Sequence, residues 1–437
     1  MYGPLLFFQG VGVPVAVATG LGGVCLALLI VYFLCDRWSV LPPAGLMLGI
    51  LVDLRPHFAF VLIAMVGIIS LRSPLGRRRG IRHALLMLIV AAATLLLVAV
   101  ATGGSGGSAA LPVRSSIGLN LYIGNHPGAN GTYQKIAGLN NEPSRFLESS
   151  TTFADSATGR ALSALEVNLF WARRAGAFAL RSPLAAAALW ARKAQHLVSG
   201  REFPVNYDYP VQRGQSRLLR LMPVHFGILG PLAVAGLFLA SGPLWLIVRL
   251  WFLAYGSSML VFFVCSDHRV PLVVGASLLA GAALARIYSL LLAGRWFRYG
   301  VALAVVAFLG GVAATDPIRW SHQQTYLQMA QMAERSGDLG LAVRAAREAV
   351  SEQPGFVPGL AYLARLFSAE HRLDSAVVLY DQALRWAPGE RKLLEALADA
   401  CQRLGNSRLA HDRAAHLCRR ASSGDGPHAG RSDGGQR

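Results

Sequence analysis

Charge is scarce in this sequence, and acidic charge is scarcest. Only 15% of its 437 residues are charged, 23 acidic against 41 basic, while 54% are apolar. An ordinary soluble domain carries about 25% charge, so this shortage excludes a purely soluble globular chain and puts the sequence in the membrane class. Lysine is nearly missing: Lys135, Lys193 and Lys392 are the only three among the basic residues, a usage that fits a GC-rich bacterial genome. Cysteine is sparse as well. Cys25, Cys35, Cys265, Cys401 and Cys418 show no metal-site spacing, so no metal ligands are assigned. Cys25 and Cys35 read as small hydrophobes in or beside apolar helices, and a disulfide between Cys401 and Cys418 stays open. There is no Gly-Lys-Ser/Thr phosphate loop and no zinc signature. Met1 to Gly10 holds no basic stretch of the kind that opens a signal peptide.

What the sequence has instead is apolar length. About 20 apolar residues cross a bilayer as a helix, because only closed backbone hydrogen bonding survives there. Such runs lie at 11–34, 81–102, 222–241, 244–264, 270–293 and 298–314. The stretch 41–71 is broken by Asp53, Arg55 and Pro56 and reads as two short helices, 41–54 and 56–71, with Pro56 opening the second. That makes about eight membrane segments. The net charge of +18 would suggest nucleic acid in a soluble protein. Here arginines sit at the ends of apolar runs, without the basic and aromatic interleaving of a nucleic-acid surface, so nucleic acid is set aside. Arg72, Arg77, Arg78, Arg79 and Arg82 share one short loop, and Arg295 and Arg298 another. Both fall on the cytoplasmic side with one parity, which sends residues 103–221 and the C-terminal region to the outer face.

The region 103–221 is too long for a connection. It opens on a Gly-Ser tether, Gly103 to Ser108, and continues through Asn120 to Tyr133, dense in turn formers and in planar polar groups that suit either a hydroxyl-rich ligand or plain turn capping. From Leu162 to Leu197 a helical pattern carries Trp171, Phe178 and Trp190 among arginines, as at a membrane interface. Arg201 to Tyr209 reads as extended. Asp53 and Arg55 read as a pair that neutralises itself at the helix turn. Lys193 and Glu202 either line one cleft with Asn125 or form a surface pair, and the surface pair is the plainer reading. Ser266, Asp267 and His268 cannot form a catalytic triad, because adjacent residues do not converge as a triad needs.

Beyond the apolar runs the sequence repeats itself. Residues 323–356 and 357–390 superimpose at a period of 34: Ala342, Ala349 and Pro354 recur as Ala376, Ala383 and Pro388. Leu363 and Ala364 form the close-packed pair, and Phe367 and Tyr380 fill the large positions. A weaker third copy starts at Arg391, with Leu394, Leu397, Ala398, Cys401 and Ala410 in register. This resembles the tetratricopeptide repeat, in which small residues let paired helices approach. Residues 421–437, rich in Gly, Ser and Arg, read as a disordered tail. The expected architecture is all-α: a transmembrane domain over 1–316 with its outer loop at 103–221, a tetratricopeptide solenoid over 317–420, and the tail.

Scattered motifs resemble a family. Tyr2 to Phe8 resembles an outer loop, Gly45 to Gly49 ending at Leu54–Arg55–Pro56 a short-helix pair, and Asn120 to Tyr133 a loop start of the GT-C class of membrane glycosyltransferases, in its bacterial dolichyl-phosphate-mannose-transferase-like, family-39-like branch. Ser182–Pro183, Lys193, Glu202 and Asn206 match its juxtamembrane pattern, and Ser266 to Pro271 resembles the entrance to a late helix. The resemblance implies transfer of a sugar from a polyprenyl-phosphate donor to an envelope acceptor, at the outer face of a bacterial inner membrane. It implies a carboxylate to activate the acceptor or organise a divalent metal, and a cation for the lipid phosphate, for which Arg269 stands at the outer end of a helix. In the family the catalytic aspartate follows the first membrane helix. Here the chain opens on what resembles a later loop, and Asp267 and His268 replace the expected Arg and Tyr. The expectation is an N-terminally truncated hexosyltransferase, inactive as written. Two readings compete: a non-catalytic scaffold that binds envelope proteins through the repeats, and a polymerase or ligase of surface polysaccharide.

Overall fold

The computed structural model describes residues 2–10, 14–103, 116–140, 145–205, 208–315 and 322–404. Among them every regular element is helical, apart from isolated bridges at Tyr2–Val224 and Thr132–Val264. The Gly-Ser tether from 104, Asn206, Ala410, Cys418 and the 421–437 tail lie outside the described residues. The chain divides into two compact units, Met1–Pro317 and Ile318–Arg437.

In the first unit α1 (Gly3–Gly10) precedes α2 (Pro14–Cys35), α3 (Leu41–Leu54), α4 (Phe58–Arg72) and α5 (Arg77–Gly103). A helical insert follows: α6 (Ile117–Gly124), α7 (Phe146–Thr158), α8 (Ala164–Arg181), α9 (Pro183–Val198), and the short α10 (Tyr209–Gln215) and α11 (Arg217–Arg220). The unit closes with α12 (Phe226–Leu239), α13 (Pro243–Val261), α14 (Ser266–Leu292) and α15 (Trp296–Ala314). Five of these, α2, α5, α13, α14 and α15, are long and apolar enough to cross a membrane, and α3, α4 and α12 are shorter apolar helices. The chain could therefore span a membrane several times. Large apolar side chains on its outside fit that solvent: Ile63 is 72% exposed, Leu97 68% and Phe308 71%.

Gly3 to Gly10 is helical, and Tyr2 is buried. One expectation needs correction. The single helical pattern over 162–197 is two helices. Pro183 lacks the N–H a continuing helix needs, so α8 stops at Arg181 and Pro183 opens α9. Ser163 and Glu166 start α8 with a reciprocal capping box.

Close approach holds the apolar helices together. Gly45 and Gly49 share one face of α3, where a Cβ would lie 2.6 Å from the Met87 carbonyl oxygen and 2.7 Å from that of Ala91 on α5. Small residues four apart let two helix backbones touch where lipid supplies no hydrophobic drive. Gly236 does the same for α12 against Leu279 of α14. α14 is the central element, packing on α2, α12, α13 and α15. More than half of its most apolar window is buried (56%), against 11% for α15.

The second unit holds α16 (Gln323–Arg335), α17 (Leu339–Glu352), α18 (Val357–Ala369), α19 (Leu373–Trp386) and α20 (Arg391–Arg403). First helices begin at Gln323, Val357 and Arg391, 34 residues apart, and second helices at Leu339 and Leu373 keep the same interval. Its core is alanine-rich, with Ala342, Ala346, Ala349, Ala364, Ala376 and Ala383 at 0% exposure around Leu363, Phe367 and Tyr380. The turns repeat too. Gly337 and His371 are both left-handed, at φ 84° and 58°. The N–H after each, on Asp338 and Arg372, donates to the Ala333 and Phe367 carbonyls at 2.9 and 2.8 Å, the helix-ending bond of a Schellman turn.

Candidate functional site

The first turn of α14 organises the polar residues of the first unit. Cys265, in extended conformation, is its N-cap, and Ser266, Asp267, His268 and Arg269 follow. Residues two apart on a helix point about 200° apart. Asp267 and Arg269 therefore face opposite ways and build two separate clusters.

The Arg269 side is closed. Its guanidinium is fully buried and pairs with Glu202 Oε2 at 2.7 Å, the carboxylate being 5% exposed. It also donates to the carbonyls of Ser199 at 2.7 Å, His196 at 3.3 Å and Arg201. The Phe203 and Phe226 rings lie 5.4 and 4.9 Å from it. The Tyr2 hydroxyl donates to the other Glu202 oxygen at 2.9 Å. Burial, and next the Glu202 charge, push the Tyr2 pKa well up, so its hydroxyl stays a donor.

Lys193 is the second buried cation. Its ammonium donates to Asn125 Oδ1 at 2.9 Å and to the Leu260 and Phe262 carbonyls at 3.0 and 2.7 Å. Asn125 in turn donates to the Leu121 and Val261 carbonyls, both at 2.8 Å. Three acceptors match three ammonium protons, but no carboxylate among the described residues pairs with it, and burial lowers the Lys193 pKa to about 7. His196, one turn on, contacts the Asn130 carbonyl through Nε2 at 3.0 Å. Gly131, at φ 97°, leaves room for both: a Cβ there would lie 3.0 Å from the His196 ring and 3.1 Å from Lys193. Bonds from Val264 N–H to the Gly131 carbonyl and from Ser266 N–H to the Phe203 carbonyl, both 2.9 Å, tie these loops to α14.

Lys193 and Glu202 are thus not a surface pair. Both are buried, and each has its own partners, Asn125 for one and Arg269 for the other. The physical reason is that each is held by groups brought from remote parts of the chain, which their nine-residue spacing does not disclose.

The Asp267 side is partly open. Arg55, at the turn between α3 and α4, reaches Asp267 Oδ2 at 3.6 Å, each side chain 14% exposed. The proposed Asp53–Arg55 neutralisation is therefore replaced: Asp53 is exposed, and Arg55 turns to α14. The Cys265 thiol donates to Asp267 Oδ1 at 2.9 Å. Burial and the Asp267 charge push that thiol well up, so it stays protonated. His57 lies beside His268, ring centroids 4.3 Å apart, with its Nδ1 2.9 Å from Ser258 Oγ. Arg55 Nε and His268 Nδ1 are buried atoms without a hydrogen-bond partner.

Cys265, Asp267 and His268 offer ligand atoms within 4.8 Å of one another, a grouping that spacing arguments missed. The surroundings oppose a cation there. Arg55 stands alongside, and a helix N-terminus carries partial positive charge. The same features suit an anion. Sequence reasoning passed over Arg55 and Asp267 as partners, and the one available signal was a buried-side Arg-Pro break between two apolar runs. No protein-family model matches the chain, and no curated protein matches it either.

Proposed function

We propose that this chain is a GT-C-like membrane protein that handles a polyprenyl-phosphate-linked sugar at the N-terminal end of α14. One observation carries the reading. Tyr2, Asn125, Lys193, Glu202 and Arg269 come from four segments that resemble the family, and all five lie in hydrogen-bonded networks around the start of that helix. In this reading Arg269, first a candidate for the lipid phosphate, is a positioning residue, because both its terminal nitrogens already donate to Glu202 and three carbonyls inside a closed cluster, and only its buried Nε is without a partner. Arg55 takes the phosphate, with an unpartnered Nε and the N-terminus of α14 beside it. Asp267 is the carboxylate available to accept a proton from an acceptor hydroxyl. The second unit is read as tetratricopeptide repeats, supported by its 34-residue helix interval and its alanine core. With the basic loops facing the cytoplasm, this end of the helices, the insert and the repeats face outward.

The test uses the full chain in phosphatidylcholine nanodiscs. Undecaprenyl phosphate is expected to bind more tightly than undecaprenol, and Arg55→Ala to cut that preference by at least about tenfold, the worth of one charge-assisted contact. Asp267→Asn is expected to spare binding and abolish transfer of radiolabelled hexose from the lipid donor. Equal binding of phosphate and alcohol by the wild type would sink the reading.

A further inference from the structure

Far from that site, α12, α14 and α15 enclose an apolar groove of about 530 Å³. Phe238, Leu239, Leu290, Val301 and Val305 line it, and Arg286 and Arg298 stand in its wall. Its size is that of a lipid-tail or small-ligand pocket. We propose that it is a binding site for an anionic glycerophospholipid, with the acyl chains in the groove and the phosphate held by Arg286 and Arg298.

Charge complementarity decides the occupant. Both arginines are exposed, and no ion pair involves either among the described residues. From Phe226 to Ala314 the only acidic residue is Asp267, against five arginines. Asp267 sits on the same helix as Arg286, 19 residues earlier, which is about 29 Å of helix rise. That distance is close to the thickness of a bilayer hydrocarbon core, so the only local carboxylate stands at the far end of the helix. Two guanidiniums without an ion-pair partner among the described residues, above an apolar trough, want an anion that is itself attached to hydrocarbon. A zwitterionic phospholipid brings its own ammonium and satisfies them less well. Phe238 at 81% and Phe297 at 83% exposure flank the trough, as groups packed by lipid rather than protein.

The inference rests on the membrane reading of the apolar helices and is independent of sugar transfer, since the two sites lie at opposite ends of α14. The probes are phosphatidylglycerol, phosphatidylcholine and undecaprenyl phosphate, titrated into the detergent-solubilised full chain and read as lipid-bound states by native mass spectrometry. Phosphatidylglycerol is expected to bind more tightly than phosphatidylcholine. Arg286→Ala and Arg298→Ala are each expected to weaken it roughly fivefold, the worth of about one interfacial cation. Arg295→Ala, next to the groove but outside its lining, should leave the preference intact. Val301→Trp, at a half-exposed position that tolerates bulk, should weaken both phospholipids by filling the trough. Equal binding of the two phospholipids overturns the proposal. So does an Arg295→Ala loss as large as the others, which means a diffuse field, or an unchanged affinity in Val301→Trp, which means headgroup contact alone. Displacement of phosphatidylglycerol by undecaprenyl phosphate in the wild type but not in the Arg286→Ala chain assigns the groove to the isoprenoid lipid and likewise overturns it.

Discussion

The two units of this chain differ in the charge they enclose and in the small residues they use. In Met1–Pro317 the decisive ion pair, Arg269 with Glu202, is enclosed at 0% and 5% exposure. In Ile318–Arg437 the ion pairs stand in solvent: Arg365–Glu334 at 50% and 29%, Arg391–Glu395 at 90% and 61%. Exposed pairs of that kind contribute about 0–1 kcal/mol, whereas an enclosed pair costs several kcal/mol of desolvation per ion before any attraction is counted. A protein gains little stability by enclosing such a pair, so the Arg269 network is better explained as a fixed geometry than as glue. Small residues divide likewise. The first unit uses glycine, where helix backbones touch, and the second uses alanine, where one methyl still fits.

The largest effect expected tests the enclosed pair. Arg269→Ala strands the Glu202 carboxylate with only the Tyr2 hydroxyl, and about 3–5 kcal/mol of stability should be lost. Purified full chain is expected to melt or aggregate far below the wild type, and the double variant Arg269→Met with Glu202→Met should recover most of the loss. If Arg269→Ala kept its melting temperature and lost only lipid-phosphate binding, the closed cluster would have to be redrawn as a ligand site.

Lys193 gives the same contrast a pH axis. Its pKa is lowered from 10.5 to about 7 by burial, so the folded chain holds fewer protons than the unfolded chain between those values. The penalty of the buried ammonium is therefore fully present below pH 7 and is relieved as pH rises toward 10. The melting temperature of the wild type, relative to Lys193→Met, is expected to climb between pH 6.5 and 9. A flat difference would mean that the three acceptors hold the ammonium charged throughout.

Much of the layout is legible in the sequence, and the site is not. Apolar runs at 41–54 and 56–71 announce α3 and α4, and the spacing of Ala342 and Ala376 announces the 34-residue interval, because helix length and repeat period are local properties. The partners of Arg55 and Lys193 have no such period. Arg55 finds Asp267 across 212 positions, and Lys193 finds Asn125 across 68, through the packing of apolar helices whose faces look alike in sequence. The nearest acidic neighbour, Asp53, was the natural guess for Arg55. A helix end points the two residues apart, and the guess fails for that reason.

A smaller effect probes the glycines. Gly49→Ala places a Cβ 2.7 Å from the Ala91 carbonyl oxygen and 2.7 Å from the Thr94 Cβ, neither of which is a flexible chain end. Overpacking of that kind costs about 1–3 kcal/mol, seen as a lower melting temperature in detergent. The alanine positions of the second unit respond by a different route: Ala383→Gly there loses about 1 kcal/mol through helix propensity and about 0.8 kcal/mol through the buried methyl it removes.

The smallest change runs the other way. His371 holds a left-handed backbone, φ 58°, where the preceding turn has Gly337 at φ 84° and the same bond from the following N–H. A side chain in that region carries a cost of roughly 1 kcal/mol that glycine avoids, partly offset by glycine's greater freedom in the unfolded chain. The Arg372 guanidinium, 4.2 Å from the Phe367 ring, does not depend on the His371 side chain, which is exposed. His371→Gly is therefore expected to stabilise the second unit by about 0.5 kcal/mol, read as slower hydrogen exchange of the Arg372 amide in the full chain. Faster exchange there would show that the imidazole supports the turn, and that the two turns share a backbone shape for different reasons.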